Sequence, residues 1–312
     1  MNKLHYLLLF FLIYSCSTEA KKEKAVRFSS FKEKLSYVLG VDHARSISES
    51  GDKNFPSYNK EEILNGFKIG MKDIKAFDKE CQQTFVQLFG NDGKSFNPTY
   101  AKEGSLCLGK LSGAFFKSGW EHKNAKELIN YKFVQKGFED QINGKDSVVP
   151  RKEQVSIIQN FILDLNQLNG KTMLEKASKN KNNIQSKSGL VIETLREGKG
   201  GKPQAGDDIL AHYILMNALG DTLQDSYKMT KELNQKLTPF SLLSVVPGWQ
   251  EGIPMMNKGG KYKLYLPFHL AYGDQGMFNP QTQRHDIQPY ESLQFIIELL
   301  DYGKPGTVKS IH

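Results

Sequence analysis

Hydrophobic periodicity changes once along this chain, near Ser188, and that change limits what it can fold into. Before it, apolar residues recur at helical spacing: Phe31, Leu35, Val38; then Ile63, Phe67, Met71, Ile74; then Phe77, Cys81, Phe85, Leu88. After it, the stretch Ser188 to Gly198 alternates apolar and polar residues. A 3.6-residue period lines one face of a helix, whereas a period of two splits residues between the faces of a strand. The spacing therefore predicts an α+β chain, helical first and β-rich afterwards. At 39% hydrophobic and 24% charged residues the composition is that of folded protein rather than disorder, and 312 residues leave room for more than one domain.

The helical part contains a repeat. Asn59 followed by Glu62 reads as a helix start, and Gly90 as a helix end. Ser36-Tyr37-Val38-Leu39-Gly40 resembles Ser105-Leu106-Cys107-Leu108-Gly109. Asn59…Glu62 resembles Asn124…Glu127, and Gly70-Met71-Lys72-Asp73 resembles Gly137-Phe138-Glu139-Asp140. A later helix is expected from Pro150, with a stripe at Val155, Ile158, Phe161, Ile162, Leu165 and Leu168. We read residues 31–95 and 96–170 as two helical units and the Lys/Asn/Ser-rich 171–187 as an exposed helical spacer. Each unit has a stripe to bury, and its duplicate is a tethered partner at high effective concentration. The expectation is an internal pseudo-dimer, with a homodimer as the alternative. Cys81 and Cys107, one per unit, fit either a disulfide or two buried thiols, because sequence gives no distance between them.

Residues 1–16 carry Lys3, an apolar run from Leu7 to Ile13, then Tyr14-Ser15-Cys16. The run is too short to span a bilayer and reads as a signal peptide. Ile13-Tyr14-Ser15-Cys16 resembles a bacterial lipobox, although Tyr14 is bulky for it. The resemblance implies lipidation of Cys16 and a lipid-anchored place in the bacterial cell envelope, at the outer membrane or facing the periplasm. Residues 17–30 read as a tether. The net charge of +8 is spread over scattered Lys, with no Arg cluster or zinc-finger spacing, so nucleic acid is not an expected partner. No Cys/His spacing suggests a metal.

Beyond Ser188, strands are expected at Ser188–Gly198, Asp207–Met216, Lys261–Leu266 and Ser292–Leu300, around one short helix at Gly248–Met256. The stretches Ser226–Thr238 and Asp274–Asp286 read as long loops, and 303–312 as a disordered tail.

Several pieces of this half stand in a familiar order: Ser188-Gly189-Leu190, His212-Tyr213, Asp225-Ser226, Pro239-Phe240, Val246-Pro247-Gly248-Trp249-Gln250-Glu251-Gly252, Ala271-Tyr272-Gly273 and Leu293-Gln294-Phe295-Ile296-Ile297-Glu298-Leu299. They resemble an FKBP-type peptidyl-prolyl isomerase over residues 188–302. Lys34-Leu35-Ser36-Tyr37-Val38-Leu39-Gly40 resembles the helical dimerisation unit of macrophage infectivity potentiator (Mip)-type lipoproteins, here present in two copies. The resemblance implies a twisted antiparallel sheet around a short helix and proline-containing polypeptides as substrates.

An X-Pro amide rotates slowly because its C–N bond has double-bond character, with a barrier of about 18–20 kcal/mol. Lowering that barrier needs a dry pocket that favours the twisted amide, not a cofactor, nucleophile or metal. The resemblance implies Trp249 as the floor, Tyr213, Phe240, Val245, Val246 and Phe295 as walls, and Tyr272 and Ile287 at the rim. The Tyr272 hydroxyl and Val246 N–H would donate to substrate carbonyls, Asp225 would orient the amide or a neighbouring tyrosine, and His212 is read as structural. Gln224 departs from the family, which usually has an aromatic wall there, and Phe278 is a candidate replacement. Isomerase, proline-segment chaperone and surface adhesin are the three functions this pattern allows.

Overall fold

The computed structural model describes residues 26–50, 53–91, 93 and 95–311, so the expected signal peptide, Cys16 and most of the expected tether lie outside the described residues. Six helices come first: α1 (Phe31–Ser48), α2 (Lys60–Lys72), α3 (Lys79–Phe89), α4 (Ala101–His122), α5 (Tyr131–Ile142) and α6 (Arg151–Ser178). Side chains of Ser30, Asn59, Asp78 and Asn130 accept a first-turn N–H of α1, α2, α3 and α5. Each thus satisfies a donor the helix leaves open.

The helices pair across the repeat: α1 packs along α5, and α2 along α4. Glycines make this possible. A Cβ on Gly137 would lie 2.0 Å from the Tyr37 carbonyl oxygen, and one on Gly66 2.1 Å from that of Leu106, so backbone rests on backbone at both crossings. Ser36 Oγ accepts the Asn130 N–H and Ser105 Oγ accepts the Asn59 N–H, each at 2.8 Å. These matched bonds fix which residues correspond. The counterpart of Asn59 is Asn130, not Asn124, and that of Gly137-Phe138 is Gly66-Phe67, not Gly70-Met71. Asn124 instead takes a left-handed conformation (φ 59°) in the turn after α4, where it starts no α-helix.

Two stripes also shift. Phe31 is exposed, and α1 buries every residue from Leu35 to Val41 because it is enclosed on more than one side. On α6, Val155 and Leu168 are exposed, and the buried series is Ile157, Phe161 and Leu165, with Phe161 against Trp120 at 5.5 Å. Cys81 and Cys107 form a disulfide that fixes α3 to α4, with Cα atoms 5.3 Å apart.

The stretch expected to be an exposed spacer is not separate. α6 runs through it to Ser178, and Met173 and Ala177 are buried where this helix meets the sheet. The strands are β1 (Ile184–Gln185), β2 (Val191–Arg196), β3 (Asp208–Asn217), β4 (Thr222–Asp225), β5 (Phe240–Ser241), β6 (Lys261–Leu266), β7 (Met277–Asn279), β8 (Arg284–Ile287) and β9 (Leu293–Gly303). An antiparallel sheet runs β1-β2-β6-β9-β3-β4, with β5 on β3, and β7–β8 is a separate hairpin. Alternation sends Ala211, Leu215, Tyr262, Leu264, Leu266, Phe295, Ile297 and Leu299 to the core face, under α8 (Pro247–Gly252).

Two regions are more ordered than expected. The Lys-rich stretch after Asp225 holds a second short helix, α7 (Ser226–Glu232), which lacks the apolar stripe that would mark it in sequence. The chain end is paired, since Leu237 and Ile311 exchange backbone bonds of 2.9 and 3.0 Å. The helical part also touches loops of the β-rich half through His122 Nε2, 2.8 Å from Asp221, and Asn166 Nδ2, which donates to Pro289 O at 3.0 Å. Among the described residues no helix is long and apolar enough to cross a membrane.

Candidate active site

Between α8 and the core face of the sheet lies a cavity of about 300 Å³, within the range of small-ligand sites. Pro247 opens α8, and its first turn carries Trp249 to the bottom of the cavity. Three rings enclose the indole. Tyr213 stands edge-on at 5.5 Å, Phe295 edge-on at 5.1 Å, and Phe240 lies tilted at 5.5 Å. Edge-to-face packing sets the positive rim of one ring against the negative face of another, which fixes the rings relative to each other. Val245, Val246, Tyr272, Leu215, Ser244 and Gln224 complete the lining. Among the described residues the Trp249 Nε1–H is buried without a hydrogen-bond partner.

Polar groups in this apolar setting are few. The hydroxyls of Tyr213 and Tyr272 and the Val246 N–H have no hydrogen-bond partner among the described residues. Burial raises the pKa of both tyrosines, and for Tyr213 the nearby Tyr272 adds to it, so both stay protonated donors at neutral pH. Gln224 lies in the wall, its amide nitrogen 3.6 Å from the sulfur of Met229.

Two expected site residues are not in this lining. The Asp225 carboxylate accepts the N–H groups of Tyr227 at 2.9 Å and Lys228 at 3.3 Å, both at Oδ1, so it caps α7. A carboxylate beside the open donors of a new helix is drawn to them. Ile287 on β8 is buried in the core and does not line the cavity. Phe278 does not replace the missing wall, for it is half exposed and packs on His285 at 5.2 Å. His212 stacks on Tyr227 at 4.1 Å, with Nδ1 3.0 Å from Ser226 Oγ. Ser226 Oγ also accepts the Tyr213 N–H at 2.8 Å, fixing that strand residue. Leu215 and Ser244 were not anticipated in the lining. Leu215 was findable, because it follows Tyr213 by two residues on an alternating strand.

Residues 199–300 match the family model described as FKBP-type peptidyl-prolyl cis-trans isomerase. The chain is 36% identical over 136 residues to the FKBP-type peptidyl-prolyl cis-trans isomerase FkpA of Escherichia coli K12, covering 44% of this chain and 46% of FkpA. It is 26% identical over 224 residues to FkpA of Aeromonas hydrophila, covering 67% and 78%. It is 26% identical over 200 residues to the outer membrane protein MIP of Legionella longbeachae, covering 60% and 81%. The crystal structure of Escherichia coli FkpA aligns over 65% of this chain and 96% of its own, at 26% identity and a TM-score of 0.38. The match thus spans about half the length of the Escherichia coli relative.

Proposed function

We propose, on the premise that the C-terminal domain belongs to the FKBP-type peptidyl-prolyl cis-trans isomerase family of the FkpA and Mip kind, that this chain isomerises X-Pro bonds in envelope or secreted polypeptides. The observation that carries the reading is the ring set around Trp249 with unpartnered donors beside it. A proline ring seated on the indole leaves water, and the amide next to it enters an apolar wall. A planar amide has a large dipole and loses solvation there, whereas the twisted amide has less to lose. Tyr272 and the Val246 N–H are free to donate to the flanking carbonyls and so hold the peptide while the bond turns. No proton needs to move, so the raised pKa values serve only to keep the hydroxyls as donors.

The matched contacts of α1–α5 and α2–α4 support an internal pseudo-dimer of two helical units, residues 31–95 and 96–170. On this reading α3 is the counterpart of α6, shortened and tied down by the disulfide, so two units present one isomerase domain. The Ile13–Cys16 lipobox supports an envelope location with Cys16 lipidated. Gln224 supports a second reading, a proline-segment chaperone with weak turnover, since a polar amide wets one wall. Refolding of a substrate protein limited by proline isomerisation tests the proposal. Substoichiometric protein should speed the slow phase; an unchanged slow phase with fewer aggregates would favour the chaperone.

A further inference from the structure

A second and larger cavity, of about 540 Å³, lies on the opposite side of the sheet. Its walls are the last turns of α6 and the outward side chains of β2, β6 and β9. Alternation puts Lys263 and Tyr265 of β6 outward, because Tyr262, Leu264 and Leu266 point into the core. Glu193 stands opposite Lys263 on β2. From α6, Lys176 faces the same space.

The charges in this space do not balance. His122 is paired with Asp221 at 2.8 Å. Glu193 accepts the Tyr265 hydroxyl at 2.6 Å. Lys176 and Lys263 make no hydrogen bond or ion pair among the described residues; Lys263 only lies over the Tyr265 ring, 5.0 Å from its centre. Loss of solvent pulls the pKa of Lys263 down; Glu193 opposes this, and Lys176 adds to it. Neutral donors in the lining are mostly spent. Asn169, Asn183 and Gln294 donate to the backbone carbonyls of Lys123, Ala177 and Asn217. The open charged donors among the described residues are therefore two ammonium groups, one from each domain.

We propose that this cavity binds a small anion, a carboxylate or phosphate carried by a soluble molecule, between Lys176 and Lys263. One anion would offset the repulsion between the two ammoniums and give half-buried Lys263, which has Glu193 only as a cross-strand neighbour, a direct hydrogen-bond partner. Because Lys176 belongs to α6 and Lys263 to the sheet, the bound anion also clamps the isomerase domain to its helical support. Helix and sheet wall the site on two sides, which suits a small molecule rather than a bilayer surface.

The test is thermal unfolding of the full chain in sodium phosphate, and separately in citrate, against sodium chloride of equal ionic strength. At least one anion should raise Tm saturably in the wild type. Lys176→Met and Lys263→Met should each weaken that response about tenfold or more, as loss of a charge-assisted bond does. Lys263→Arg should retain it, as should Lys202→Met elsewhere on the surface. Proline turnover should be unchanged in all four, since the aromatic pocket lies on the other face. A response equal to chloride in the wild type, or one that persists in the Lys176→Met/Lys263→Met double variant, overturns the proposal.

Discussion

Phe67 and Phe138 lie face to face, ring centroids 3.7 Å apart and planes within 2° of parallel. Each follows the glycine that lets its helix touch another, and each is almost fully buried. Corresponding residues of the two halves therefore meet at one point, as they would on a two-fold axis. His43 and Ser112 meet nearby, Nε2 to Oγ at 2.9 Å, and burial pulls the pKa of His43 down, which keeps it neutral. Phe138→Ala should cost about 3–5 kcal/mol. Because each ring is the other's main partner, adding Phe67→Ala should cost less than a second full penalty. Urea unfolding of the two singles and the double measures both.

Two glycine substitutions separate helix propensity from packing. Gly119 lies inside α4 with open space where a Cβ would sit, so Gly119→Ala should stabilise by up to about 1 kcal/mol. Gly137→Ala would drive a methyl into the Tyr37 carbonyl and should destabilise by about 3 kcal/mol or more. Equal effects in thermal unfolding would contradict the close backbone crossing. Sedimentation of the wild type should also give the mass of one chain, since each helix pair finds its partner within the molecule.

The Cys81–Cys107 bond joins residues separated by 26 positions. Its removal by Cys81→Ser/Cys107→Ser should cost about 2–4 kcal/mol. Amide exchange should quicken mainly in α3, which packs on α4 beside the disulfide. The proposed X-Pro turnover should be unchanged, since none of the pocket-lining residues lies on α3 or α4.

The pair Tyr227–Glu298 makes a prediction for pH. The Tyr227 hydroxyl donates to Glu298, whose pKa is lowered by that bond and by Arg196. The pKa of Tyr227 is raised, first by burial and then by Glu298. A lowered carboxylate pKa adds stability that is complete above the ordinary value, about 4.3, and fades as pH falls through the folded value. A raised phenol pKa adds stability complete below about 10, which fades as pH rises through the folded value. The stability difference between wild type and Tyr227→Phe should thus be flat from about pH 5 to 9 and shrink on both sides. A difference that grows below pH 4 would contradict the pairing.

What sequence could tell follows from how far each feature depends on local pattern. Tyr213, Trp249 and Phe295 were expected together only through the family resemblance, since each ring alone reads as ordinary core, and strand alternation with the proline-led helix then brings them into one lining. The capping role of Asp225 was not legible, because the helix it caps carries no pattern of its own. That helix was itself hidden, since Tyr227, Met229 and five polar neighbours make no stripe. The repeat was visible, but its correspondence was misread. A capping residue is identified by the N–H it accepts, and Asn124 and Asn130 look alike without that bond. The ordered chain end depends on Leu237 and Ile311, whose pairing across seventy-odd residues leaves no local trace.

The most direct measurement is protease-coupled turnover of short X-Pro peptides by the wild type, Trp249→Leu and Gln224→Phe, each checked for unchanged far-UV circular dichroism. The account predicts catalysis above the solvent rate in the wild type. It predicts a rate lower by about tenfold or more in Trp249→Leu, which loses the aromatic floor, and a higher rate in Gln224→Phe, which dries the wall. A solvent rate for all three folded proteins, or equal catalysis with and without the indole, would contradict it.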